Sequence, residues 1–269
     1  MQIASRYPGL PRITDGIGAV VWSEIHATDG AAAYPITPST EMGVQYEQAV
    51  ANGATNVFGR PLAFLELESE HSSASSCEGF ALAGGRVANF TSGQGLIRMK
   101  EGRYVLYGKP LPVVFHIGAR PLTSQALNVH AGHDDVFGVA YVGWGMLFAK
   151  NAQEAADFAL IARRVAEATR TPFFNVQDGF LTTHTVQDVR LPEPELIETF
   201  LGPPESWFAS LFDPSHPRMT GVVVNQDAYM KGKVAQRAFY ALLAPALREA
   251  FSRFGELTGR HYGLLDAYR

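Results

Sequence analysis

The sequence predicts an α/β fold: an open, mostly parallel sheet of about six strands with helices on both faces. Three observations carry this expectation. Short apolar runs alternate along the chain with helical stretches of about 10–15 residues, the spacing of β-α-β units. The runs are nearly continuous in apolar residues, as expected of strands covered on both sides. Helix-start signals follow several of them, as at Ser69 and Asn151, whose side-chain oxygens are suited to accept free N–H groups of a first turn.

In chain order, Ala31-Ala32-Ala33-Tyr34 reads as the first strand, with a loop and a helix opening near Ser39-Thr40-Glu41 behind it. Leu62-Ala63-Phe64-Leu65 is the second, followed by a helix capped by Ser69. Arg86-Val87-Ala88-Asn89-Phe90-Thr91 is the third, and Pro112-Val113-Val114-Phe115-His116-Ile117 the fourth and most β-like. Gly145-Met146-Leu147-Phe148-Ala149 is the fifth. Asn151 and Glu154 then form a capping box that opens a helix running to Thr169. Pro172-Phe173-Phe174-Asn175-Val176 is the sixth strand.

After Val189 the periodicity fades, and Pro192, Pro194, Pro203, Pro204, Pro214 and Pro217 mark an extended arm lying on another surface. A last helix is expected from Gly232 to Phe254, kinked or broken at Pro245. The chain thus divides into an α/β unit over 1–190 and an arm with a C-terminal helix over 191–269. The final stretch from Arg260 to Arg269 has no closing cap, and is read as leading to a continuation or a partner chain.

Composition narrows the function classes. Of the 269 residues 46% are apolar and 18% charged, a globular balance. The formal charge of −4 offers no basic excess for a phosphate backbone, which argues against nucleic acid as a partner. No apolar run reaches the ~20 residues that span a bilayer. The start, Met1-Gln2-Ile3-Ala4-Ser5-Arg6, lacks the apolar core of a signal peptide. A single cysteine, Cys77, excludes an internal disulfide, a CxxC pair and a cysteine-ligated iron–sulfur cluster within these residues. It reads as a small buried residue in a protein of a reducing compartment, the cytoplasm.

In parallel sheets ligands bind beyond the carboxyl ends of the strands. Polar segments fall there after five strands: Tyr34 to Ser39, Glu66 to His71, Thr91 to Gly95, Gly118 to Pro121 and Gln177 to Phe180. Each also has a plainer reading. Pro35-Ile36-Thr37-Pro38-Ser39 is also a turn with an N-cap, and Glu66, Glu68 and Glu70 also suit a solvated helix start, where the macrodipole favours acids. Thr91-Ser92-Gly93-Gln94-Gly95 lacks the Gly-Lys-Ser/Thr ending of a nucleotide P-loop, and no GxGxxG follows a strand. His130, His133, Asp134 and Asp135 supply no tight ligand triad, so no metal is assigned to this chain. No Gly-x-Ser-x-Gly elbow points to a hydrolase.

Taken in order, Tyr34-Pro35-Ile36-Thr37-Pro38-Ser39, Glu68-Ser69-Glu70, Phe90-Thr91-Ser92-Gly93-Gln94-Gly95-Leu96, Phe115-His116-Ile117-Gly118-Ala119-Arg120 and Asp178-Gly179-Phe180 resemble one family. It is the 2-oxoacid:ferredoxin (or flavodoxin) oxidoreductases, among them pyruvate:ferredoxin oxidoreductase, and the likeness is to their N-terminal, pyrimidine-binding domain. Val224 to Tyr229 and Leu257-Thr258-Gly259-Arg260 extend it to nearly the whole chain.

The resemblance implies a thiamine diphosphate-binding fold of the pyrimidine type. It implies oxidative decarboxylation of a 2-oxoacid, usually to an acyl-CoA. It places the diphosphate and Mg²⁺ on another domain or chain. The [4Fe-4S] clusters lie on an iron–sulfur domain or subunit, coenzyme A binds elsewhere in the complex, and ferredoxin or flavodoxin takes the electrons. By motif, Glu70 matches the glutamate that faces N1′ of the aminopyrimidine, which needs a carboxyl group in a dry cleft. Thr37 and Arg120 match the residues that hold the 2-oxoacid carboxylate, and Pro35, Ile36, Ser92 and Gln94 join Glu70 around the cofactor. The chain departs from the pyruvate pattern beyond Arg120. Gln125 stands where those enzymes usually carry His, and Asn128 to Asp135 reads differently from their Ser-Ile-Phe-Gly-Asp-His-Gln-Asp. The 2-oxoacid is therefore left open, larger and aromatic ones included. Two other readings stay beside this one: a non-catalytic assembly module, and the pyrimidine domain of another thiamine enzyme such as a transketolase-like protein.

Overall fold

Two elements precede the first expected strand. In the computed structural model, which describes residues 5–204 and 210–266, strand β1 (Leu10–Thr14) leads into helix α1 (Gly16–Ala27). The Asp15 carboxylate caps α1 by accepting the Gly18 N–H at 2.8 Å. Most of α1 is buried, so it carries no apolar stripe for a periodicity reading to find. Met1 to Ala4, part of the leader reading, and Ala267 to Arg269, part of the uncapped end, lie outside the described residues.

Six strands then alternate with helices: β2 (Gly30–Ala33), α2 (Thr40–Ala51), β3 (Ala63–Glu66), α3 (Glu70–Leu82), β4 (Val87–Thr91), α4 (Gly93–Arg98), α5 (Lys100–Gly108), β5 (Val114–Ala119), α6 (Asp134–Phe137), β6 (Gly145–Ala149), α7 (Ala152–Thr169) and β7 (Phe173–Asp178). They pair in the order β3-β2-β4-β5-β7-β6, every pairing parallel. The six expected strands are all present, shifted by at most two residues at either end. β4 and β5 are buried at every position, their polar Asn89, Thr91 and His116 included, as expected of nearly continuous apolar runs covered on both faces. At α7 the Asn151 side chain accepts the Glu154 N–H at 2.9 Å, while Glu154 Oε2 reaches back to the Lys150 N–H at 3.0 Å. The box thus closes one residue earlier than its usual form.

The proline-marked stretch is not wholly extended. It begins in strand β8 (Gln187–Leu191), which pairs antiparallel with β1 from Leu10↔Leu191 to Thr14↔Gln187. It continues in helix α8 (Pro194–Leu201). Pro194 occupies the first turn, where a missing N–H costs nothing and the fixed φ suits a helix. Leu196, Ile197, Phe200 and Leu201 bury its inner face. The final helix, α9 (Gln226–Thr258), starts six residues before Gly232 and runs through Pro245 without ending. Pro245 sits on the exposed face of the helix. Beyond Gly259, at φ +74°, Arg260 grips Asp157 of α7 with Nε–Oδ2 2.6 Å and Nη2–Oδ1 3.0 Å, and the Tyr262 hydroxyl donates to Asp157 Oδ2 at 2.5 Å.

Two apolar cores flank the sheet. One lies among α1, α2, α7, α8 and the C-terminal half of α9, with Ile17, Val20, Tyr46, Phe200 and Phe254 at its centre. The other lies under α3, α4 and α5, around Leu96, Leu106, Phe115 and Phe174. The first core encloses charge. Glu24 of α1 is wholly buried; Oε2 accepts from Arg163 Nη2 of α7 at 2.7 Å, and Oε1 lies 2.9 Å from His116 Nε2 of β5. Asn175 Nδ2 donates to the Ala155 carbonyl at 2.8 Å and lies 3.2 Å from His116 Nδ1. That amide orientation makes Nδ1 the acceptor and leaves the Nε2 proton for Glu24. Burial pushes the Glu24 carboxyl up, but Arg163 and His116 outweigh it and hold the group below its ordinary value.

Removing the carboxylate strands a buried guanidinium. Glu24→Ala is expected to cost about 3–5 kcal/mol in urea unfolding near neutral pH. Because the folded value is depressed, this stability is full above the ordinary carboxylate value of 4.5 and is lost as pH falls through the folded value. The difference between wild type and variant therefore shrinks in acid. Equal stability of the two at pH 7 contradicts this account.

Candidate functional site

Parallel pairing carries the carboxyl ends of all six strands to one edge of the sheet, and the strand order sets the loops after β3, β2, β4, β5 and β7 side by side. The centre of that edge is built with little room between backbones. A Cβ on Gly95 would lie 2.7 Å from Glu70 Cγ, 2.8 Å from Glu70 Oε1 and 2.9 Å from Thr91 Oγ1. A Cβ on Gly118 would lie 2.9 Å from Pro38 Cγ and 3.1 Å from Ser92 Oγ. Gly93 has φ +51°, and a Cβ there would lie 2.2 Å from Arg120 Nε, so the guanidinium rests directly on the glycine.

Glu70 is the first residue of α3, behind the Ser69 cap, whose hydroxyl accepts the Ser72 N–H at 3.3 Å. It is 6% exposed, and among the described residues no donor forms a hydrogen bond to its carboxylate. Arg98 Nε stands 3.9 Å from Oε2. Beside it the Thr91 hydroxyl is buried without a partner among the described residues. Arg120, at the end of β5, is 5% exposed. Its Nη2 donates to Gln94 Oε1 at 2.9 Å, leaving Arg120 Nε and Gln94 Nε2 buried and unpartnered among the described residues. Burial pushes the Arg120 guanidinium below its ordinary value, and the charge of Asp135 offsets part of that. Ser92 donates from Oγ to Ser39 Oγ at 3.0 Å, joining the loops after β4 and β2.

The structure therefore brings together Glu70, Ser92, Gln94 and Arg120 at the ends of β3, β4 and β5. Thr37 and Pro35 stand apart from that hydrogen-bonded group: both are exposed, on the loop after β2, and Thr37 makes no hydrogen bond to Arg120 among the described residues. Pro35 rims a small cavity over Ala33, Ser39, Phe64 and Phe90. Ile36 acts through its backbone, its carbonyl accepting both the N–H and the hydroxyl of Ser39 at 2.9 Å. Ser39 does not cap α2 with its side chain; it is spent on this turn and on Ser92.

Sequence reasoning assigned no role to Thr91, Ser39, Gly93, Gly95 or Asp135. The Gly-x-Gly spacing was the available signal for Thr91, Gly93 and Gly95, since glycines at a strand end mark close approach. Beyond Arg120 the chain runs exposed through Gln125 and Asn128 and returns at His133, whose Nε2 lies 2.7 Å from Asp178 Oδ1 at the end of β7. The His130 and Phe180 rings meet there at 4.9 Å.

The orphaned donors and acceptors around a sheltered carboxylate suit a flat heteroaromatic ligand with hydrogen-bonding nitrogens, and so fit the aminopyrimidine of thiamine diphosphate. Comparison with known proteins agrees. The family described as pyruvate flavodoxin/ferredoxin oxidoreductase, thiamine diphosphate-binding, matches residues 23–251. The pyruvate-flavodoxin oxidoreductase of Klebsiella pneumoniae is 35% identical over 260 residues, covering 96% of this chain and 22% of that protein. The pyruvate:ferredoxin oxidoreductase of Moorella thermoacetica is 33% identical over 264 residues, with the same 96% and 22% coverage. The fold matches the 2-oxoglutarate:ferredoxin oxidoreductase of Magnetococcus marinus, with a TM-score of 0.69 at 21% identity, over 86% of this chain and 44% of that one. The chain spans about a fifth of the length of these pyruvate oxidoreductases. It belongs to the pyruvate flavodoxin/ferredoxin oxidoreductase family, as its thiamine diphosphate-binding domain.

Proposed function

We propose that this family member forms the pyrimidine-facing and substrate-facing side of the active site in a thiamine diphosphate-dependent 2-oxoacid oxidoreductase. The observation that supports it best is the sheltered Glu70 carboxylate, without a hydrogen-bond donor among the described residues, beside the unpartnered atoms of Thr91, Gln94 and Arg120. Thiamine diphosphate, when bound, supplies the nucleophilic carbon that adds to the 2-keto group and takes up the electrons left by decarboxylation. Glu70 would hold a proton shared with N1′ of the aminopyrimidine, in a cleft where its side chain is 8% exposed. Pro35, Ile36, Ser92 and Gln94 would border the ring. Arg120, its plane set by Gly93 and Gln94, would present its remaining N–H groups to the 2-oxoacid carboxylate, with Thr37 adding a hydroxyl from the neighbouring loop.

In this proposal the diphosphate and Mg²⁺ are held by another domain or chain, and the [4Fe-4S] clusters and coenzyme A sites lie elsewhere in the complex. Ferredoxin or flavodoxin is the electron acceptor. Cys77 is wholly buried, and no helix among the described residues is long and apolar enough to cross a membrane, consistent with a cytoplasmic enzyme. The side chain of the 2-oxoacid would face the loop of Gln125 and Asn128.

Two substitutions test the proposal in the complete enzyme. Glu70→Gln is expected to slow proton exchange at the thiazolium carbon by at least about 10²-fold, the lower range of general acid–base contributions. A glutamate serving only its helix start predicts near-normal exchange and turnover, with about 1 kcal/mol or less of lost stability. Arg120→Lys is expected to lower kcat/KM about 10- to 100-fold for every 2-oxoacid, since Lys cannot reproduce the paired donors. Kinetics across small, acidic and aromatic 2-oxoacids check this; a loss confined to one class means that Arg120 reads the side chain instead.

A further inference from the structure

The short helix α6 is lashed to the site edge by three consecutive residues. His133 reaches Asp178, and Asp134 Oδ2 accepts the Leu122 N–H at 3.3 Å. Asp135 is fully buried and carries the most bonds. Its Oδ2 accepts the N–H of Gly93 at 2.8 Å and the N–H of Arg120 at 3.1 Å, while Oδ1 accepts the N–H of Val136 at 2.7 Å. One carboxylate oxygen thus bridges the loops after the adjacent strands β4 and β5. Charged acceptors make the stronger hydrogen bonds, so the two loops are held at a fixed spacing.

That spacing matters because of what lies on it. The Arg120 guanidinium rests on Gly93, where a Cβ would fall 2.2 Å from Nε, and is tied through Nη2 to Gln94, the next residue. The height of the Gly93 backbone therefore sets the plane of the guanidinium. Burial pushes the Asp135 carboxyl above its ordinary value, and its backbone N–H partners at Gly93, Arg120 and Val136, with His133 after them, offset part of that.

We infer that Asp135 is a positioning residue for substrate: by holding the Gly93 and Arg120 N–H groups on one oxygen, it fixes the guanidinium that receives the 2-oxoacid carboxylate. The inference rests on the proposed role of Arg120. Asparagine at 135 keeps the shape but loses the charge and offers an N–H₂ where an acceptor is needed. Gly93→Ala leaves every acceptor atom of Asp135 in place and pushes a methyl group against Arg120.

The test compares wild type, Asp135→Asn and Gly93→Ala in the complete enzyme. It measures KM and kcat for pyruvate, 2-oxoglutarate and phenylpyruvate, and binding of oxamate, an unreactive carboxylate analogue of pyruvate. Both variants are expected to raise KM for every 2-oxoacid oxidised by at least about tenfold, with kcat changed less than about threefold, the signature of lost binding shared by ground and transition states. Oxamate affinity falls by a similar factor. Should Asp135→Asn not fold, Asp135→Glu decides instead: it keeps the charge but moves the oxygen that holds the Gly93 and Arg120 N–H groups, and the same rise in KM is expected of it. Wild-type KM in a folded variant, with activity lost only in proportion to folded protein, overturns the inference and leaves the role of Arg120 standing. A wild-type enzyme that oxidises none of the three acids and does not bind oxamate overturns both.

Discussion

Parallel pairing is the constraint on which the rest of this structure depends. Strands that all run one way need long crossovers, and the crossovers cover both faces of the sheet with helices. They also deliver every strand's carboxyl end, and the first turn of the following helix, to a single edge. Glu70, Ser92, Gln94 and Arg120 are scattered over 51 positions of sequence, yet the ends of β3, β4 and β5, with β2 between the first two, bring them to one stretch of the edge. The buried trio of Glu24, His116 and Arg163 fastens α1 and α7 to β5 from one side. Asp135 fastens the loops after β4 and β5 from the edge itself.

Much of this was legible in the sequence. β4, β5 and β7 announce themselves because strands buried on both faces are nearly continuous apolar runs, broken here only by single polar residues such as Asn89, His116 and Asn175, and α7 because Asn151 and Glu154 mark its start. The unread elements lack local signals for identifiable reasons. β1 contains Pro11 and a largely exposed face, and exists through its pairing with β8, nearly 180 residues away in the chain. α1 is buried nearly all round, so no amphipathic period marks it. α8 hides behind Pro194, which punctuates a chain and also opens a helix. In the site, the residue types at the strand ends were readable. The contacts among them were not, because Asp135 meets Gly93 across 42 positions of chain.

The edge carries an energetic imbalance. A buried polar atom without a partner costs about 1–3 kcal/mol, and among the described residues Thr91 Oγ1, Gln94 Nε2 and Arg120 Nε are in that condition. Glycines leave no room for a side chain between them and their neighbours: Gly93 lies against Arg120, Gly95 against Glu70 and Thr91, and Gly118 against Pro38 and Ser92. A ligand that pairs with the unpartnered atoms recovers that cost on binding, which ties the architecture of the edge to the proposed aminopyrimidine and 2-oxoacid carboxylate. In the proposed arrangement the side-chain end of the substrate would face the exposed loop around Gln125 and Asn128, where this chain departs from the pyruvate pattern.

The most direct measurement is a structure of the complete enzyme with thiamine diphosphate and a 2-oxoacid bound. The account predicts N1′ of the aminopyrimidine within hydrogen-bonding reach of Glu70, about 2.6–3.2 Å, and the substrate carboxylate on Arg120. A pyrimidine ring turned away from Glu70, or a carboxylate bound to another cation while Arg120 stays on Gln94 alone, would contradict it.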